Sequence, residues 1–144
     1  YKFAFSVCAM SMLVVSCNND DKEAERRLRK EALDIYTDIL AKRTEIESLK
    51  LNINAYNKSI SIDDNVDLKD SLLNVIILLG KTEDRIEDFD KYDCYPNCGY
   101  EHSQMMTYLT ARRDSVKQLA NDVYMVTSVA NNFWKKSGNI TPPQ

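Results

Sequence analysis

Cys94, Cys98 and His102 are the residues of this chain best suited to chemistry, because they recur at four-residue intervals in the stretch DCYPNCGYEH. Zinc accepts thiolate and imidazole ligands in a tetrahedral site, so one interpretation is a metal centre built from these three residues. The other interpretation is a disulfide between Cys94 and Cys98, since Pro96 places both in a turn and an oxidising compartment favours the bridge. We expect the disulfide and no cofactor, with the zinc site and free thiols as the alternatives that the sequence leaves open.

Four tyrosines surround this turn, at Tyr92, Tyr95, Tyr100 and Tyr108. Rigid aromatic rings supply contact area at a low cost in entropy, so tyrosines exposed at the tip of a turn would form a recognition patch. The same rings would equally well pack over the cysteine pair as a small core. The sequence leaves both interpretations open.

The rest of the sequence contains no arrangement typical of catalysis. It has no Ser-His-Asp pattern, no glycine-rich phosphate loop and no HExxH motif. The 22 acidic and 19 basic residues are interleaved, with a net charge of −3, and no basic stripe indicates nucleic-acid binding. We therefore expect neither an enzyme nor a nucleic-acid-binding protein.

The elements that must position these residues are long helices. The chain contains three glycines and three prolines, too few for the many turns of a β-sandwich or barrel. Beyond residue 22, apolar residues recur at alternating spacings of four and three, which is typical of helices packed as in a coiled coil. The three runs are Leu28, Ala32, Ile35, Ile39, Lys42, Ile46, Leu49, Ile53, Tyr56, Ile60; Leu68, Leu72, Val75, Leu79, Thr82, Ile86, Phe89; and Met105, Leu109, Arg112, Val116, Leu119, Val123, Val126, Ala130, Phe133.

These runs predict an all-α fold, an antiparallel three-helix bundle with coiled-coil-like heptad packing over residues 23–137. The helices are expected near 23–60, 64–91 and 102–136, and residues 138–144 are expected to form a disordered tail. The second helix contains LLNVIILLG, which is apolar on nearly all sides, so we expect it to be the most buried. Gly80 costs about 1 kcal/mol in helix propensity there, which a close approach of a neighbouring backbone would explain.

Each run has one polar residue in its apolar seam, namely Lys42, Thr82 and Arg112. If the helices fold back as hairpins about residues 63 and 97, the three fall at nearly one level of the bundle. We therefore predict a polar core layer that sets the register of the helices, with nearby acidic residues such as Glu45 or Glu83 balancing the two cations. A buried anion or ligand site is the alternative interpretation.

The N-terminal segment is typical of a targeting signal. After Lys2 an apolar run covers 3–15, which is shorter than the about 20 residues of a transmembrane helix but fits the core of a signal peptide. The run ends in VVSC, which resembles the lipobox of bacterial lipoproteins, and the following NNDDKE resembles the acidic export signal of Bacteroidota lipoproteins. The resemblance implies a signal peptide at 1–16, lipidation of Cys17, and an acidic tether at 17–22.

These observations lead to one functional hypothesis and two alternatives. We expect a lipoprotein of the outer membrane, facing the cell surface or the periplasm, that binds or scaffolds another envelope protein without catalysing a reaction. The alternatives are a ligand- or metal-binding helical module and an inhibitor or immunity-type protein. Leu33, Tyr36 and Leu40 widen the apolar stripe of the first helix, which leaves a homo-oligomer open.

Overall fold

The computed structural model describes residues 11–60 and 66–136 and shows three helices: α1 at Ser11–Ser59, α2 at Val66–Lys91 and α3 at His102–Lys136. Every pair of helices is in contact, so the predicted all-α three-helix bundle is confirmed. The bounds of α3 are those expected from the sequence. The connection at 61–65 and the predicted tail at 138–144 lie outside the described residues.

The first helix begins earlier than expected. Residues 17–22, assigned above to a tether, continue α1 as helix, and the first ten residues of the predicted signal peptide lie outside the described residues. Because this segment contains neither glycine nor proline, no residue in it interrupts the helical hydrogen bonding. Cys17 therefore lies within α1.

Contacts between side chains give the helix directions. The Lys117 ammonium lies 2.7 Å from Glu31, and the Asn131 side chain donates a 3.0 Å hydrogen bond to Glu45, so residue numbers in α1 and α3 increase together. These two helices are parallel. α2 must run antiparallel to both, because it carries the chain back between them.

The apolar seams form the core as the heptad spacing predicts. Residues with no exposed surface are Ile46, Leu49 and Ile53 of α1, Leu72, Leu79 and Ile86 of α2, and Val116 and Ala130 of α3. Tyr36, outside the α1 seam, is also buried, and its hydroxyl donates a 2.9 Å hydrogen bond to the carbonyl of Ile86. Buried aliphatic side chains of this size each stabilise a fold by about 1.5–3 kcal/mol, so the core is the main source of stability.

The expectation that α2 is the most buried helix is wrong. Leu73, Ile77 and Leu78 are 45%, 52% and 45% exposed. In a three-helix bundle each helix has two neighbours on one side, so the opposite side faces solvent whatever residues it carries. The run LLNVIILLG therefore supplies both a core face and an exposed apolar face.

The expected close approach at Gly80 is also wrong, because a Cβ added there would meet nothing within 4 Å. Gly99 differs, since its φ of +70° lies in the left-handed region that side chains rarely adopt. Replacement by alanine is therefore expected to have opposite effects on stability at the two glycines.

Gly80→Ala is expected to raise the free energy of unfolding by about 1 kcal/mol, because alanine removes backbone freedom from the unfolded chain without a clash in the folded one. This corresponds to a rise in Tm of roughly 3–5 °C, measured by circular dichroism. Gly99→Ala is the matched control and is expected to lower Tm. A Tm for Gly80→Ala at or below that of the natural chain would show that α2 tolerates no Cβ at this position.

Candidate functional site

A mismatch in helix length shapes one end of the bundle. α2 has 26 residues and α3 has 35. The Arg112 guanidinium donates a 2.7 Å hydrogen bond to the carbonyl of Phe89, so the last turn of α2 is level with residue 112 and not with the start of α3. The first ten residues of α3, about 15 Å of helix, therefore extend beyond α2.

The connection 92–101 occupies the place that α2 leaves open. Leu28 of α1 and Met105 and Leu109 of α3 form a second buried cluster, and Tyr95 and Cys98 of the connection pack against it. We call residues 92–101 the cysteine loop. It closes the apolar seam of α1 and α3 where no third helix is present.

The two cysteines of this loop lie at disulfide distance. Their Sγ atoms are 1.98 Å apart and their Cα atoms 4.9 Å apart, and the Asn97 amide donates a 2.7 Å hydrogen bond to the Cys94 carbonyl within the turn. Of the three alternatives for Cys94 and Cys98, the disulfide is the one that this geometry matches.

His102 is not joined to the cysteines. Its Nδ1 lies 2.8 Å from a carboxylate oxygen of Glu25, and its Nε2 lies 3.4 Å from Asp21. Over the described ranges, no group of three or more His, Cys, Asp or Glu side chains is placed to hold a metal ion. His102 therefore connects the first turn of α3 to α1. Cys94, Cys98 and His102 are not arranged as a zinc ligand set in the described residues.

Asp93 holds the cysteine loop to both long helices. Its carboxylate lies 3.5 Å from the Arg29 guanidinium of α1 and 3.8 Å from that of Arg112 of α3. It also accepts hydrogen bonds of 3.2 Å from the Tyr108 hydroxyl and from the Tyr95 amide, the second being the short aspartate turn common in loops. Asp93 is the residue that sequence reasoning missed. Its position directly before Cys94 in a turn was the available signal, because aspartate favours such turns.

The two arginines also stack on aromatic rings. Arg29 lies over the Tyr95 ring at 4.9 Å, and Arg112 lies over the Phe89 ring at 4.2 Å. Such cation–π contacts contribute about 0.5–2 kcal/mol each, more when they are desolvated. Only 12% of the Arg112 side chain is exposed, so its positive charge has to be balanced by Asp93 and by the Phe89 ring instead of by water.

The four tyrosines of the predicted recognition patch divide into two pairs. Tyr95 and Tyr108 pack against the second cluster and take part in the Asp93 network. Tyr92 and Tyr100 are 70% and 47% exposed. Tyr92 also lines an open groove of about 350 Å³ together with Phe89 and Arg112. One pair thus contributes to a small core, whereas the other pair is exposed, and the recognition patch stays a prediction for Tyr92 and Tyr100.

The predicted polar core layer is wrong, because Arg112 does not lie at the level of the other two residues. Arg112 donates its hydrogen bond to the carbonyl of Phe89, which is seven residues, about 10 Å, beyond Thr82 on α2. Arg112 is also joined through Asp93 to Arg29, which lies about 20 Å from Lys42 along α1.

The physical reason is the cysteine loop. Folding the chain as an even hairpin about residue 97 assumes that α2 and α3 have level ends, and the loop removes that condition. Each polar seam residue is instead satisfied locally: the Thr82 hydroxyl donates a 2.9 Å hydrogen bond to the Leu78 carbonyl, and Lys42 lies 2.8 Å from Glu45. Of the acidic residues expected near the cations, Glu45 pairs with Lys42, whereas Glu83 pairs with Lys50.

The Lys42–Glu45 pair shifts the titration of both groups. The hydrogen bond from Lys42 holds the pKa of the Glu45 carboxyl below its usual range, and a hydrogen bond from Asn131 acts in the same direction. The same contact raises the pKa of Lys42. The Glu45 carboxylate is therefore ionised at neutral pH, and it links α1 to α3 by accepting the hydrogen bond from Asn131.

An exposed apolar face lies in the other half of the bundle. Arg85 of α2 pairs with Asp122 of α3, and two turns further along each helix, on the same side, stand Leu78 and Val129. Met125 of α3 is exposed beside them, and Ile77 continues the apolar surface onto the outer side of α2. We call Ile77, Leu78, Met125 and Val129 the α2–α3 face. Exposed apolar surface gathered in one area marks interaction sites on soluble domains.

In comparisons with known proteins, no family model, no curated protein and no solved structure matches this chain. In the part of the chain that the structure describes, no helix has a stretch long and apolar enough to cross a bilayer.

Asp93→Ala is expected to lower the free energy of unfolding by about 2–3 kcal/mol, because it leaves two neighbouring guanidinium groups without their shared counter-charge. Urea denaturation followed by circular dichroism measures the change. The control is Asp34→Ala, which removes only an exposed pair with Lys30 and is expected to leave the midpoint unchanged. Equal midpoints for the two variants would contradict the role given to Asp93.

Glu45→Gln tests the pH dependence of the α1–α3 link. Because the folded-state pKa of Glu45 lies below its usual value of 4.5, the pair stabilises the fold above that pH and loses its effect as the pH falls through the folded-state pKa. Glu45→Gln is therefore expected to lower stability by about 0.5 kcal/mol at pH 7 and to have a smaller effect at pH 3. Thermal unfolding at both pH values, with the exposed Glu23→Gln as control, measures this. A loss that persists unchanged at pH 3 would show that packing, and not the charge, accounts for it.

Proposed function

We propose that this chain is a membrane-anchored lipoprotein of the bacterial envelope that binds another envelope protein through the α2–α3 face and catalyses no reaction. The observation that carries the proposal is the α2–α3 face itself. Its four side chains are 45–60% exposed, and single apolar side chains scattered over a surface would not form such an area.

The position of the face along the bundle supports presentation to a partner. Lys50 is level with Glu83, so Ile77 and Leu78 lie still further along α1, beyond residue 50. From Cys17 to this level α1 measures about 55 Å. An anchor at Cys17 would therefore hold the face well clear of the bilayer, at the height where an envelope protein can reach it.

The anchor at Cys17 is supported by the resemblance of VVSC to a lipobox and by the physical chemistry of acylation. Each buried methylene of an acyl chain contributes about 0.8 kcal/mol, and two or more chains give a durable attachment. Because residues 17–22 are helical, cleavage before Cys17 would place the acyl chains at the first residue of α1, with no flexible tether. The orientation of the bundle would then follow the orientation of α1. We propose the outer membrane as the location, with the bundle on the cell surface or in the periplasm.

The test is photo-crosslinking in intact cells. Benzoylphenylalanine replaces Ile77 in one variant and Leu40 in the control, because Leu40 is also exposed but lies on α1 nearer the other end of the bundle. We expect one dominant adduct with an envelope protein at Ile77 and none at Leu40. Adducts of equal yield at both positions, or none at Ile77, would contradict the proposal, and an adduct with twice the mass of the chain would identify a homodimer in place of a partner.

Ile77→Lys is expected to weaken binding of the captured partner by about thirtyfold, which corresponds to the about 2 kcal/mol of an interface hot spot. Because Ile77 is half exposed, its replacement should change the free energy of unfolding by less than about 0.5 kcal/mol. Titration of the purified partner measures the affinity, with Leu40→Lys as the control. Unchanged affinity with Ile77→Lys would place the binding surface elsewhere.

A further inference from the structure

The cysteine loop and the N-terminal end of α1 lie at the same end of the bundle. His102, directly after the loop, contacts Glu25 and Asp21, and Asp21 lies one turn beyond Cys17 on α1. The connection between α2 and α3 must return to this end, because α1 and α3 are parallel. The exposed Tyr100, two residues before His102, is thus near the proposed anchor and far from the α2–α3 face.

We propose that Tyr100 docks into the headgroup region of the bilayer that carries the Cys17 anchor, with the cysteine-loop end of the bundle facing the membrane. This inference rests on the lipid anchor that is part of the proposed function. It adds a second, aromatic contact with the membrane and fixes the orientation of the bundle.

The distances along α1 fit this contact. Asp21 and Glu25 lie about 6 Å and 12 Å beyond Cys17, and His102 is level with them. Tyr100 precedes His102 by two residues, and the interfacial layer on each side of the hydrocarbon core is about 5–8 Å thick. An exposed side chain at this height reaches the headgroups if α1 stands steeply on the membrane.

Tyrosine has the chemistry of this layer. Its ring is apolar and its hydroxyl forms hydrogen bonds, and tyrosine is enriched where lipid meets water. The Tyr100 ring stacks edge-on against Tyr108 at 5.8 Å, and the Tyr108 hydroxyl is bonded to Asp93. Tyr100 is therefore held in place before docking, which reduces the entropy lost on contact.

The charges at this end are balanced, which indicates the kind of lipid. Asp20 and Glu23 stand beside the exposed Arg26 and Arg27 on the outer side of α1. With both signs present, the surface has no net attraction for an anionic membrane. We therefore expect docking on zwitterionic phosphatidylcholine, with little dependence on salt.

The test uses the full chain, purified with its lipid and reconstituted into phosphatidylcholine vesicles with or without brominated acyl chains. The natural Trp134 packs against Tyr56 in the far half of the bundle and supplies a background that brominated lipid should not quench. Tyr100→Trp adds a second indole at the loop, and Tyr124→Trp, at an exposed position on α3, is the matched control. Brominated lipid is expected to reduce roughly twofold the fluorescence that Tyr100→Trp adds and to leave that of Tyr124→Trp unchanged, at low and high salt alike.

Intact mass of the same preparations separates the failure of docking from the failure of the anchor. Acylated Cys17 with no quenching of Tyr100→Trp would overturn the docking and leave the anchor. Equal quenching at both positions would overturn it as well, because the bundle would then lie flat on the bilayer. A bare Cys17 in protein that does not stay with the vesicles would overturn the anchor and the docking together.

Discussion

The structure depends on one constraint, that three helices of unequal length must still cover one continuous apolar seam. α1 and α3 run parallel over the whole bundle, whereas α2 is too short to cover the start of α3. Exposed apolar surface costs about 25 cal/mol per Å², so the gap beside Leu28 and Leu109 has to be closed by other residues. The cysteine loop does this with Tyr95 and Cys98.

The same constraint explains why the strongest polar network surrounds the loop. A segment without regular structure has few backbone hydrogen bonds of its own, so it must be held by side chains and cross-links. A disulfide that closes so short a ring restricts the unfolded chain only slightly. Asp93 therefore has the larger role, since it connects the loop to Arg29 of α1 and Arg112 of α3 at once.

The two halves of the bundle differ in the surface that they present. The half with the cysteine loop has a dense network of charges and aromatic rings around a small core, with Tyr92 and Tyr100 exposed. The half beyond residue 50 of α1 has a mainly aliphatic core with Tyr56 and Trp134 packed against it, and its α2–α3 face is exposed. Under the proposed function the first half fixes the molecule to the membrane and the second meets a protein, so the length of α1 sets the distance between the two contacts.

The sequence predicted the parts of this structure that depend on spacing along one helix. The seven-residue pattern identified the buried seams, including Ile46, Leu79 and Val116, and the glycine and proline positions placed α3 correctly. Contacts between helices could not be predicted in the same way. The level of Arg112 against α2 depends on the path of the loop, and the exposed side of α2 cannot be found in a run that is apolar on every side. Asp93 has a partner on each of two distant helices, and no local pattern records that.

The most direct test of the central claim is a nuclear Overhauser measurement on the methyl groups of Leu28. If the cysteine loop takes the place of a third helix, these methyls lie against Met105 and Leu109 and near the ring of Tyr95, and cross-peaks to all three residues are expected. Cross-peaks from Leu28 only to residues of its own helix would show that the loop does not close the bundle, and the account would be wrong.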